Sequence, residues 1–196
     1  MDAMRKAIGY LVLLVMLVVA MSSFDLTGGK DAPGTGLLLV RVSQLDPGQY
    51  RSTAEYTTWA YSTCSAAAMT EVIDDYGRYY QITDVLAVES RMEAITPQQG
   101  LLEDAGIART VAAFGFQTAW GYQFSLDQII DTAHGGTPVI VAFPPQRYPG
   151  GHLVVVTGGN RTTVFMADSS MCVNANFKRL MAEFGESGIV CIYTIV

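Results

Sequence analysis

Three side chains far apart in a chain of 196 residues, Cys64, His152 and Asp168, have the types and spacing to break an acyl bond. Cys64 stands in Trp59-Ala-Tyr-Ser-Thr-Cys-Ser-Ala-Ala-Ala-Met69, where an aromatic, turn-forming segment gives way to an alanine-rich run. Ser62 or Thr63 can cap a helix there, which puts Cys64 in its first turn. Backbone N–H groups and the positive end of the helix dipole favour a thiolate over a thiol at such a place. The competing use of such a residue is a small buried cysteine packed at a helix start.

A thiol nucleophile needs a base, and the base needs an orienting partner. His152 opens the apolar run 153–157 behind Gly150-Gly151, and Asp168 closes the next run, 162–167. Gly158-Gly159-Asn160 is a strong turn signal, so the two runs form a hairpin. A turn there sets His152 and Asp168 opposite each other, or one residue off, within reach of an imidazole–carboxylate hydrogen bond. Asp168 would fix the tautomer of the ring, and His152 would take or hold the thiol proton. His134, before Gly135-Gly136, reads instead as a surface histidine at a helix end.

The elements that must position these residues follow from pattern. Residues 36–42 read as a first strand, and Asp46-Pro47-Gly48 as a turn. Residues 50–63 show no clear period and read as irregular structure along a groove. Residues 64–76 carry apolar positions at helical spacing and stop at Gly77. Helices are expected over 82–95, 101–114, 125–133 (capped by Ser125) and 177–184. Strands are expected over 116–119, 139–143, 153–157, 162–167 and 189–196. Helices come first and a meander of strands follows, so the fold class is α+β, with a largely antiparallel sheet.

Hydrophobic residues make up 50% of the chain and charged residues 15%. The formal charge of −6 and the lack of a basic patch exclude nucleic acid as a partner. Two histidines far apart and no CxxC pair give no metal-ligand pattern, and no cofactor motif is present. Part of the apolar excess lies in residues 7–24, an uncharged run behind Arg5 and Lys6. It is long enough to span a bilayer, and the charges before it would keep the N-terminus inside. Ala20-Met21-Ser22 also fits a cleavage site, so the run reads as a transmembrane anchor or a signal peptide. Both place the remainder outside the cytoplasm. The chain divides into 1–24, that segment; 25–49, a linker and first strand; and 50–196, the catalytic domain. There are three cysteines. Outside the cytoplasm Cys172 and Cys191 could pair and leave Cys64 free; otherwise all three stay thiols.

Cys64-Ser-Ala-Ala-Ala-Met69 leading to Asp75-Tyr76-Gly77 resembles the nucleophile helix of the C39-like peptidases, which have a papain-like cysteine-protease fold. The resemblance continues through Gly115-Phe116, Ser125-Leu126-Asp127 and Gly136-Thr137-Pro138-Val139-Ile140-Val141. It ends with Gly151-His152 to Gly158 and Ala167-Asp168. It implies a nucleophile helix packed on the sheet, and cleavage of a peptide or protein substrate through an acyl-enzyme. Cys64 would be the nucleophile, His152 the base and Asp168 the orienting residue. The same triad also serves amidases and acyltransferases, and the fold without activity would serve as a peptide- or protein-binding domain. Two positions depart from the family. Ser65 replaces a glycine, and Thr58 and Trp59 stand near where a glutamine usually donates to the oxyanion. Thr58, Tyr61 and Ser62 are the hydroxyl candidates for that donor. Nothing in the sequence fixes the oligomeric state.

Overall fold

The computed structural model describes residues 39–144, 151–160, 163–170, 177–180 and 191–195; for 177–180 and 191–194 it describes the backbone alone. The chain falls into two units, Met1–Ala32 and Pro33–Val196, and every described residue belongs to the second. The apolar run 7–24 and the Cys172–Cys191 pairing therefore lie outside the described residues. Among the described residues, no helix is long and apolar enough to cross a membrane.

The domain opens with residues 39–46, which run as irregular chain where a strand was expected. A 3₁₀ turn follows at Pro47–Gln49, with the Asp46 carboxylate accepting from the Gly48 N–H at 2.9 Å. Residues 50–63 are not irregular: helix α1 spans Thr53–Trp59. Its start is a Ser-x-x-Glu signature. Ser52 Oγ accepts from Glu55 N–H at 3.1 Å, and the Glu55 carboxylate accepts from Arg51 N–H at 2.7 Å.

Helix α2 (Cys64–Asp75) is the central element, buried from Ser65 to Asp74. Helix α3 (Ile82–Arg91) ends four residues before expectation. A two-stranded hairpin, β1 (Ile95–Thr96) and β2 (Gly100–Leu101), then intervenes and delays α4 to Ala105–Ala112. Strand β3 is Thr118–Gly121, and α5 is Leu126–His134. Ser125 caps α5 as expected and exchanges backbone and side-chain hydrogen bonds with Gln128.

Strands β4 (Val139–Phe143), β5 (His152–Gly159), β6 (Thr163–Ala167), β7 (Phe177–Leu180) and β8 (Cys191–Ile195) complete the fold. Phe177–Leu180 is a strand rather than the start of a helix. The sheet is antiparallel, in the order β3-β8-β4-β5-β6-β7. Both faces of its centre are covered, so β4 and β5 are apolar runs without alternation. Ile140, Leu153, Val155 and Ala167 pack in one core with Ala67, Ala68, Val72, Ile107 and Val111 of α2 and α4. Val141, Val154, Val156 and Met166 pack in the other with Ile129, Ile130 and Ala133 of α5.

The β5–β6 hairpin turns later than expected. Gly159 still pairs with Val164, and the Asn160 N–H donates to Thr163 O at 2.7 Å. The register breaks once, between Val156 and Gly158, which sets Thr157 aside as a bulge. Beyond it Val156 faces Met166 and Val155 faces Ala167. Carried on, the ladder puts Val154 across from Asp168 and His152 across from Ser170. His152 and Asp168 are thus diagonal neighbours on one face, not direct partners.

Candidate active site

Cys64 is the first residue of α2, as the alanine-rich run predicts, but the cap differs from expectation. Thr63 holds the capping position without a capping hydrogen bond. Its hydroxyl is instead bonded to Tyr50 Oη at 2.9 Å, and Tyr50 in turn donates to Gln44 O at 2.7 Å. Cys64 is half-buried at the mouth of a cavity of about 440 Å³. Tyr61 and Ser62 share its wall, Gln98 to Leu101 and Asp104 form a second, and Phe143, Pro144, Gly151 and His152 a third.

His152 Nε2 and Asp168 Oδ1 are 2.8 Å apart, and both side chains are nearly buried. His152 is also hydrogen-bonded to Cys64. Burial disfavours the charged ring, but the bonds to Asp168 and Cys64 outweigh it and raise the His152 pKa to about 9. Burial likewise works to raise Asp168. The His152 bond and charge, with two bonds from Ser170, outweigh it and hold Asp168 at about 2. Ser170 donates to Asp168 Oδ1 from its backbone N–H at 3.0 Å and its hydroxyl at 2.6 Å. The structure thus brings Cys64, His152 and Asp168 together as a connected row.

The three oxyanion candidates are placed differently. Tyr61 and Ser62 line the cavity. Tyr61 is 88% exposed, and the Ser62 hydroxyl donates to Trp59 O at 3.0 Å. Thr58 lies on exposed α1 outside the cavity wall, with its hydroxyl donating to Ala54 O at 2.8 Å.

Sequence reasoning missed Gln44. This side chain is buried, and its amide donates to Ala60 O, four residues before Cys64, at 2.8 Å. Its Oε1 accepts from the Ser169 hydroxyl at 2.9 Å, next to Asp168. Gln44 stands twenty positions before Cys64 because α1 is looped out between them, and the position six residues upstream of Cys64 falls in α1. The Ser52-x-x-Glu55 signature was the available signal that a helix, not an extended chain, fills that gap.

The hairpin β1–β2 was also missed, and it closes the cavity beside Cys64. At Gly100 the backbone has φ +68°, and an added Cβ would sit 3.2 Å from Ser62 O. Glycine permits both the left-handed backbone and the close approach.

Two buried carboxyls lie on α2 and α3. Glu71, on α2, accepts from Arg41 Nε at 3.1 Å and from Val42 N–H at 3.2 Å. Burial outweighs Arg41 and raises its pKa to about 7. Glu89, on α3, is fully buried, and neither of its oxygens meets a hydrogen-bond partner in good geometry, although the Ser65 hydroxyl faces it. Burial raises Glu89 to about 8 against that hydroxyl. Among the described residues no group of His, Cys, Asp and Glu could hold a metal.

A family model described as Peptidase_C39 like family matches residues 41–184. The fold is shared with the peptidase domain of Streptococcus ComA, a bi-functional ABC transporter involved in quorum sensing. That match has a TM-score of 0.57 and 19% identity, covering 69% of this chain and 92% of that one. A double glycine motif protease from an AMS/PCAT transporter, in complex with its leader peptide, matches at TM-score 0.54 and 13% identity. It covers 82% of this chain and 92% of that one. A C39-like peptidase from Bacillus anthracis, described as putative, matches at TM-score 0.51 and 9% identity, covering 69% and 89% of the two chains. No curated protein sequence matches the chain.

Proposed function

The chain belongs to the Peptidase_C39 like family, and on that footing we propose that it is a thiol peptidase that cleaves a peptide through an acyl-enzyme on Cys64. The observation that carries this reading is one ring: His152 is bonded at once to Asp168 and to Cys64 at a cavity mouth.

With Nε2 held by Asp168, Nδ1 is the nitrogen left to the thiol. It holds the proton it shares with Cys64 as the sulfur attacks the peptide carbonyl and a C–S bond forms. The ring then gives that proton to the leaving amine as the C–N bond breaks, which leaves a thioester. Water loses a proton to His152, attacks the thioester and frees the acid and the thiol. Asp168 keeps the ring aligned and favours its cation throughout.

The developing oxyanion needs donors. The Cys64 backbone N–H, in the first turn of α2, is one. Gln44 is our candidate for the second: an amide has two N–H groups, and Ala60 takes one. Leader peptide occupies the AMS/PCAT relative, which supports a peptide as the substrate here. The uncharged run 7–24 behind Arg5 and Lys6 supports action outside the cytoplasm, on an anchor or after signal cleavage.

Iodoacetamide at pH 6 tests the reading. Cys64 should react far faster than free cysteine, Cys64→Ala should remove that reaction, and His152→Ala should slow it to an ordinary thiol rate. Wild-type labelling at the ordinary rate would remove the enzyme reading.

A further inference from the structure

We propose that Arg41 is a positioning residue for this site, setting the Cys64 helix against the Asp168 end of β6. The proposal rests on Cys64, His152 and Asp168 acting as one unit. The nucleophile and the histidine–aspartate pair sit on different elements, α2 and the β5–β6 hairpin, so something must fix their separation. Arg41 touches both. Its Nε donates to Glu71 Oε1 at 3.1 Å, two helical turns along α2 from Cys64, and a terminal guanidinium nitrogen donates to Asp168 O at 3.3 Å.

The residues around it join the same two elements. Val42 N–H bonds Glu71 at 3.2 Å, and the Ser43 hydroxyl and Gln44 N–H donate to Ser169 O at 3.3 and 2.9 Å. Residues 41–44 are therefore a strap between the nucleophile helix and the end of β6, and Arg41 is its charged member. The Glu71 side chain is 1% exposed, so its bond to Arg41 is shielded from water, while the Arg41 side chain is 22% exposed. The planar fork of a guanidinium reaches two acceptors in fixed directions, which a lysine ammonium on its flexible stem does not do.

The chemistry separates bridging from charge. Arg41→Lys keeps the cation beside Glu71 but reaches only one of the two acceptors. Arg41→Met with Glu71→Gln removes the cation and the ionisable carboxyl together, an exchange that buried pairs often tolerate. Thermal melts check folding, and the pH dependence of Cys64 alkylation by iodoacetamide reads the site. We expect both variants to melt cooperatively, to alkylate at pH 6 about tenfold or more slowly than wild type, and to show a changed pH profile. Wild-type rate and pH profile in folded Arg41→Lys would overturn the proposal and leave the triad standing. Loss of the fold in both variants would make Arg41 a stability residue only and overturn it too. Wild-type protein that alkylates no faster than free cysteine would overturn the triad, and this proposal with it.

Discussion

At the residue scale, His152 keeps a raised pKa although its burial works against the charge. Its bonds to Asp168 and Cys64 bring it to about 9. The cation is therefore more stable in the folded chain than in the unfolded one. It contributes stability in full below its ordinary pKa near 6.5, and that contribution fades as pH rises through about 9. Removing the carboxylate should undo this. In Asp168→Asn, NMR titration of the ring should find His152 well below 9, and peptide cleavage should fall by roughly 10²–10⁴. An unmoved titration would show that Asp168 does not hold the cation. Gln44 can be tested by splitting two reactions. Alkylation of Cys64 forms no oxyanion, whereas peptide cleavage does. Gln44→Ala should keep the first and lose about 10²–10³ in the second; equal losses in both would assign Gln44 to fold support alone. The Cys-His-Asp row was legible because nucleophile, base and acid each stand beside a recognisable cap or turn. Gln44 was not, because sequence distance carries no information once a helix is looped out of the path.

At the scale of elements, the long periodic stretches were legible and the short ones were not. The helix at Cys64, the capped helix at Ser125 and the strand Val139–Phe143 are where pattern put them. The strands Ile95–Thr96 and Gly100–Leu101 are two residues each, too short for a period of two to register, and the turn and second strand form a cavity wall. The hairpin tip was placed early because two adjacent glycines read as a turn. They are in fact strand residues. At Gly159 a Cβ would lie 2.5 Å from Thr163 O and 3.1 Å from Ile130 Cδ1, so the position needs glycine for room. Gly159→Ala should cost roughly 1–3 kcal/mol, seen as a lower midpoint in urea with an unchanged slope. An unchanged midpoint would mean that β5 and β6 can part at no cost.

At the scale of the whole molecule, two buried carboxyls contribute to how stability follows pH. Glu89 is held at about 8 against an ordinary value of 4.5, and Glu71 at about 7. Between those limits the unfolded chain has lost protons that the folded chain keeps. Stability should therefore fall as pH rises from about 4.5, and level off above about 8 for Glu89. Glu89→Gln cannot ionise, so its stability relative to wild type should improve over that window, by an amount on the order of a few kcal/mol. Parallel pH–stability curves for the two proteins would show that Glu89 is not kept protonated. Composition did not reveal either group. An acidic residue on an apolar helix face reads the same in sequence whether it turns out to solvent or in.

The bulge at Thr157 amounts to a one-letter frameshift in a code read two letters at a time. From the hairpin tip inward, the unshifted frame would set Val155 opposite Asp168 and turn the aspartate away from His152. The extra residue restores the frame just before the pair is reached. What the hairpin preserves is thus the phase of histidine and aspartate, not the number of residues between them. A hairpin without the extra residue keeps the same pairing with one residue fewer in that interval. An alignment that forbids a gap there would assign the acid to a neighbour on the wrong face.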